Sequence, residues 1–145
     1  FISTSSLAQL EWESRKSIPR YGRHAGVSFE IAGKIYVGLG RIADGSYLNE
    51  LWEYDPDSDS WTQKADYPPG GRFIPSAFSI NGKGYVCLGL TSTLSPTNTL
   101  YEYDPTTDTW TQKANFIGAA RYVVATFVIG ACSYTHLTLP TIYSV

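Results

Sequence analysis

Four residue types return along this chain at one fixed interval. Trp12, Trp61 and Trp110 are 49 residues apart, and the same step links Arg23, Arg72 and Arg121, then Phe29, Phe78 and Phe127, then Ile31, Ile80 and Ile129. Residues 50–65 (ELWEYDPDSDSWTQKA) and 99–114 (TLYEYDPTTDTWTQKA) agree at 11 of 16 positions without a gap. Chance does not supply that agreement. The chain is a repeat protein with a 49-residue unit, and such a period decides the architecture ahead of any local preference.

Each unit holds four short strand-like runs separated by turn signals. In the first full unit they lie at 24–31, 34–40, 50–55 and 60–65, and in the second at 73–80, 83–89, 99–104 and 109–114. Ala32-Gly33 and Asn81-Gly82 read as two-residue hairpin turns, the second being the pair that a type I′ turn favours. Asp55-Pro56 and Asp104-Pro105 open the next turn: Pro presets φ, and the Asp carboxylate can accept from the amides that follow. No window carries a sustained helical period. The pattern is all-β, and four antiparallel strands per repeat describe a blade of a β-propeller.

These residues resemble a known family. A hydrophobic strand ending in glycine, then Glu-Tyr-Asp-Pro, then Trp six residues after the Asp that opens the turn, is similar to the kelch repeat, in particular to the bacterial, galactose-oxidase-like kelch propellers. The usual glycine doublet is altered: Gly38-Leu39-Gly40 and Cys87-Leu88-Gly89 keep only its second glycine. The resemblance covers residues 9–130 and implies an incomplete kelch-type β-propeller. It predicts a lone strand at 9–16 that closes the ring, full four-stranded antiparallel blades at 23–65 and 72–114, and the first strand of a further blade at 121–129. Propellers have about four to eight blades. At this period six or seven would take roughly 300–340 residues, so the chain is expected to be the N-terminal part of a longer protein.

Two end segments stand apart. FISTSSLAQ reads as the end of a secretory signal, with small residues at Ser6 and Ala8 before Gln9. Residues 1–8 are thus expected to be a signal remnant and the protein extracellular or periplasmic. Residues 131–145 (ACSYTHLTLPTIYSV) leave the repeat pattern. They resemble translated adapter sequence and are set aside as a tail of foreign origin.

Composition narrows the function classes. With 14% aromatic and 17% charged residues the chain is not of the disordered kind. No apolar run approaches the roughly 20 residues of a spanning helix. A net charge of −2 carries no basic footprint for nucleic acid. Two cysteines, Cys87 and Cys132, make neither a disulfide framework nor a zinc set.

In an up-down blade the strand-two-to-three link and the link to the next blade share one face. Here these are the long links, 17–23, 41–49, 66–72, 90–98 and 115–121, and long loops on a rigid scaffold are where ligands bind. Arg23, Arg72 and Arg121 enter the innermost strands from this face. A guanidinium there suits a carboxylate or phosphate, and the kelch resemblance implies ligand contact at this position. The competing reading is that an arginine present in every unit serves blade packing. Residues that break the repeat on the same face, His24, Asp44, Tyr47 and Phe73, complete the candidate ligand set.

The aromatic series Trp52, Tyr54, Trp61, Tyr101, Tyr103 and Trp110 reads as packing between blades. Asp55, Asp57 and Asp59 open like a calcium loop, but Ser60 stands where that loop needs Gly, so no metal is expected. No catalytic set emerges. His24 is the only histidine within the repeats, whereas the copper centre of galactose oxidase needs two. Cys87 reads as a small core residue. No cofactor is expected. The resulting expectation is a binding module that recognises a protein or carbohydrate ligand through its loop-rich face. The rival is a fragment of a carbohydrate-active propeller enzyme, mutarotase-, epimerase- or oxidase-like, with its active residues in other blades. Uncovered blade faces predict self-association.

Overall fold

The computed structural model describes residues 12–129 and 132–136. Ten strands follow one another: β1 (Val27–Ile31), β2 (Lys34–Gly38), β3 (Leu51–Asp55), β4 (Ser60–Lys64), β5 (Ser76–Ile80), β6 (Lys83–Cys87), β7 (Leu100–Asp104), β8 (Thr109–Lys113), β9 (Ala125–Ile129) and β10 (Cys132–His136). The first eight form two four-stranded antiparallel sheets in sequential order, β1-β2-β3-β4 and β5-β6-β7-β8. No helix occurs among the described residues. This is an incomplete β-propeller with two full blades.

The third unit supplies two strands rather than the single one expected. β10 lies inside the stretch set aside from residue 131, and it pairs with β9 in a backbone register that sets position 134 opposite position 127. That register repeats Tyr36 opposite Phe29 and Tyr85 opposite Phe78. A ladder is built from backbone groups that every non-proline residue carries, so it extends where the side-chain motif has lapsed. At the other end residues 12–16 form no strand, and the rest of the closing strand expected at 9–16 lies outside the described residues. Residues 1–8, read as a signal remnant, and 9–11 lie outside the described residues.

The inner strands are shorter than their apolar runs because the ladder breaks at a repeated bulge. Ala25, Ile74 and Val123 have φ of 54°, 52° and 57°, and Leu39 and Leu88 have φ of 58° and 63°. Left-handed backbone interrupts pairing, leaving isolated bridges between His24 and Arg41 and between Phe73 and Leu90. Here the retained glycine is required. Gly40 has φ +90°, and a Cβ on it would stand 2.7 Å from the His24 carbonyl oxygen.

Blades are joined by aromatic packing and by a recurring outer turn. Within the first blade Phe29 stacks on Tyr36 at 5.3 Å, and Tyr36 in turn lies 5.6 Å from Tyr103 of the next blade. Phe29 lies so close to β6 that a Cβ on Gly84 would run into its ring. Each outer turn also holds the preceding unit. Asp108 accepts from the Tyr103 hydroxyl at 2.7 Å and from the Ala65 amide at 2.9 Å, while Trp110 Nε1 donates to the Ala65 carbonyl at 2.9 Å. One unit earlier Asp59, Tyr54, Trp61 and Lys16 repeat the set at 2.7, 3.0 and 2.8 Å. Lys16 thus stands where the end of a fourth strand belongs, although its segment is not paired as one.

Candidate functional site

The 41–49 link is a tight, self-bonded loop. Ile42 N donates to Ser46 O at 3.1 Å, Gly45 N to Ile42 O at 3.0 Å, and the exposed Asp44 carboxylate accepts from Ser46 N at 2.8 Å. The bond from the Ser46 amide and the nearby Arg41 hold the Asp44 carboxyl below its ordinary pKa. At the base of the loop, Arg41 Nε donates to Gly45 O at 3.1 Å, which fixes the guanidinium. Its central carbon lies 5.7 Å from the Tyr47 ring and 6.0 Å from the Phe73 ring, within cation–π range. The Tyr47 and Phe73 rings meet edge to face at 5.9 Å, and exposed His24 meets Phe73 in the same way at 5.6 Å.

The structure therefore brings His24, Tyr47 and Phe73 together, with Asp44 on the same loop. Arg41 is the member that sequence reasoning missed. Its signal was present, since Leu90 occupies the equivalent place in the next unit. Two units contribute to the patch, joined by the bond from Gly40 N to Arg72 O at 2.8 Å.

The arginine series is placed deeper. The Arg23 side chain is 6% exposed and donates from Nη2 to Glu50 Oε2 at 3.1 Å. Arg20 reaches the other Glu50 oxygen at 2.7 Å, and Trp52 Nε1 donates to Oε2 at 3.0 Å. Burial alone would raise the Glu50 pKa, but the bonds from Trp52, Arg20 and Arg23 outweigh it and lower the value. Arg72 is 5% exposed and has no carboxylate partner among the described residues. It lies over the Tyr67 ring at 5.7 Å and makes contacts of 3.4 Å with Pro69 O and Gly71 O. Arg121 is half-buried, bonded to Ala119 O at 2.8 Å and placed over Phe116 at 5.0 Å. Glu50, also absent from the sequence reading, stands out in the repeat because Thr99 replaces it in the next unit.

Other candidates resolve into scaffold. Asp55 pairs with Lys34 at 2.5 Å and accepts from Asp57 N at 2.9 Å, which lowers its pKa to about 2. Asp59 is engaged by Tyr54 and Lys16. No group of three or more His, Cys, Asp or Glu able to hold a metal occurs among the described residues. Cys87 is buried and unbonded, and burial pushes its thiol up to about 11, so it is protonated and inert at neutral pH. No described helix is long and apolar enough to cross a membrane.

No family model matches the chain, and no curated protein matches it. Solved structures do match. One is that of YjhT, with a TM-score of 0.76 at 20% sequence identity over 86% of this chain. The matched part is 47% of that chain, so this sequence spans about half of its length. A likeness at that identity concerns the fold: the chain is built as part of a β-propeller.

Proposed function

We propose that the chain is part of a kelch-type β-propeller that serves as a binding or interaction module. Its loop-rich face takes an acidic or polyhydroxyl ligand, carbohydrate or protein. The kelch reading rests on the 49-residue period, the Glu-Tyr-Asp-Pro turns and the Trp spacing. The recognition reading rests on one observation: Arg41, Tyr47, Phe73 and His24 cluster on the loop face at positions where the repeat is broken. The outer-turn residues Asp59 and Asp108 follow the repeat, whereas the patch residues do not and stand on the long-loop face, where ligands bind.

A fixed guanidinium between aromatic rings suits a carboxylate laid against a sugar ring or an acidic side chain. Burial of Arg23 and Arg72 favours the packing role for those two, whereas half-buried Arg121 keeps access to the face. The signal-like residues 1–8 carry the further proposal that the protein works outside the cytoplasm.

The test is a panel of acidic and neutral oligosaccharides together with Asp/Glu-rich peptides, presented to the 145-residue chain and to its Arg41→Gln and Tyr47→Ala variants. Anionic probes should be retained in a salt-sensitive way, and each variant should weaken retention about tenfold while melting close to the parent. Equal retention by parent and variants, or retention of neither acidic nor polyhydroxyl probes by the parent, would overturn the reading.

A further inference from the structure

The two blades treat one buried position in opposite ways. In the first blade the Glu50 carboxylate receives Arg23, Arg20 and Trp52. One period later these residues become Thr99, Arg72, Pro69 and Tyr101. The arginine is kept and the acid is lost. Ile18, at the matching place before the first blade, becomes Tyr67, a residue only 1% exposed.

Arg23 has two buried nitrogens, Nε and Nη1, without partners among the described residues, but its charge is met by Glu50. In the second blade the charge is unmet and neighbouring hydroxyls are unpaired as well. Arg72 Nε, the Tyr67 hydroxyl and Thr99 Oγ1 are all buried and have no hydrogen-bond partner among the described residues. Arg72 spends Nη1 on two carbonyls at the limit of hydrogen-bond distance and lays its charge over the Tyr67 ring at 5.7 Å. The Thr99 hydroxyl stands near the phenol without reaching bonding geometry. Cys87 also lies close to Tyr67 and stays a neutral thiol, so it supplies no countercharge. Tyr67 itself is pushed up to about 12, mainly by burial, and remains a donor at all ordinary pH.

A buried guanidinium without a countercharge is among the costlier things a fold can hold. Three unsatisfied donors around one cation select an acceptor with negative charge over a water molecule, which would bring donors of its own. We propose that the second blade binds a small monovalent anion, of halide or formate size, among Arg72, Tyr67 and Thr99, in the position that the Glu50 carboxylate fills in the first blade. The site is separate from the loop-face patch and does not depend on the ligand proposed there. It makes the stability of the second blade depend on the anion, whereas the first blade carries its own.

The experiment is thermal melting of the 145-residue chain at constant ionic strength in sodium chloride, bromide, formate or gluconate. The small anions, or the halides alone, should raise Tm above gluconate by about 3 °C or more, increasing with concentration as linkage requires. Thr99→Glu supplies the carboxylate from the protein and should abolish the difference between salts. Arg72→Met should abolish it too. Chlorine-35 NMR of the parent protein, which needs no variant, should show line broadening that bromide reverses. Equal Tm in chloride and gluconate, no chlorine broadening, or an undiminished salt difference in a folded Thr99→Glu protein would each overturn the proposal.

Discussion

The first and second blades share a ladder register, turn chemistry and middle-strand ion pairs, yet they differ at what lies on either side of them. Lys34–Asp55 and Lys83–Asp104 are equivalent pairs, as are the Tyr36–Glu53 and Tyr85–Glu102 bonds, both 2.6 Å. By contrast Gly84 of the second blade faces the Phe29 ring, whereas its counterpart Ile35 in the first blade is 40% exposed. Glu50 neutralises a buried arginine in one blade, and Thr99 does not in the other. What repeats is the framework within a blade. What varies is the contact with a neighbour, and the loop-face patch arises at such a junction.

The largest effect expected from breaking this comparison is at Glu50. Glu50→Ala leaves Arg23 charged and buried without its partner, and should cost about 3–5 kcal/mol in chemical denaturation. An unchanged midpoint would show that solvent already screens that pair. Next comes the swap at the junction. Gly84→Ile should destabilise by about 1–3 kcal/mol through overpacking against Phe29, while Ile35→Thr, at the exposed equivalent, should change stability by less than about 0.5 kcal/mol. Equal effects at the two positions would mean that the blades do not pack as described.

A smaller difference separates the tryptophans. Trp110→Phe removes the donor to Ala65 O and should cost about 1 kcal/mol. Trp12 is fully exposed, and Trp12→Phe should leave the melting curve unchanged. One effect is common to both blades, the response to acid. Asp55 is held at about 2 by Lys34 and the Asp57 amide, and Asp104 is lowered by Lys83 and Thr106. Glu102 and Asp108 are lowered as well. A carboxylate with a lower pKa folded than unfolded adds stability above the unfolded value, near ~4, and loses it as pH falls through the folded value. Tm should therefore be level from neutral pH down to about 4.5 and fall toward pH 2. A Tm that rises over that interval would contradict the ion pairs.

Much of this architecture was legible before any coordinates. The 49-residue period, the Asn81-Gly82 turn and the Asp-Pro corners specify strands and hairpins through local backbone preference, and Asn81 and Gly82 do both take positive φ. The candidate site was only half legible. Breaking of the repeat picked out His24, Tyr47 and Phe73, but the same criterion applied to Arg41 and Glu50 passed unnoticed, because no local motif marks either.

Sequence alone determined what depends on neighbours in the chain: strand, turn and repeat length. Tertiary structure decided the rest. Periodicity placed Arg23, Arg72 and Arg121 at one position, yet only the packed blades show Arg23 paired, Arg72 buried without a carboxylate and Arg121 half open to solvent. It also decided that β10 extends the third unit past the point where its motif ends. The physical reason is range. Backbone preference acts over a few residues, whereas the charge and contact state of a side chain is set by groups about 30 to 50 positions away that only the stacked sheets bring near.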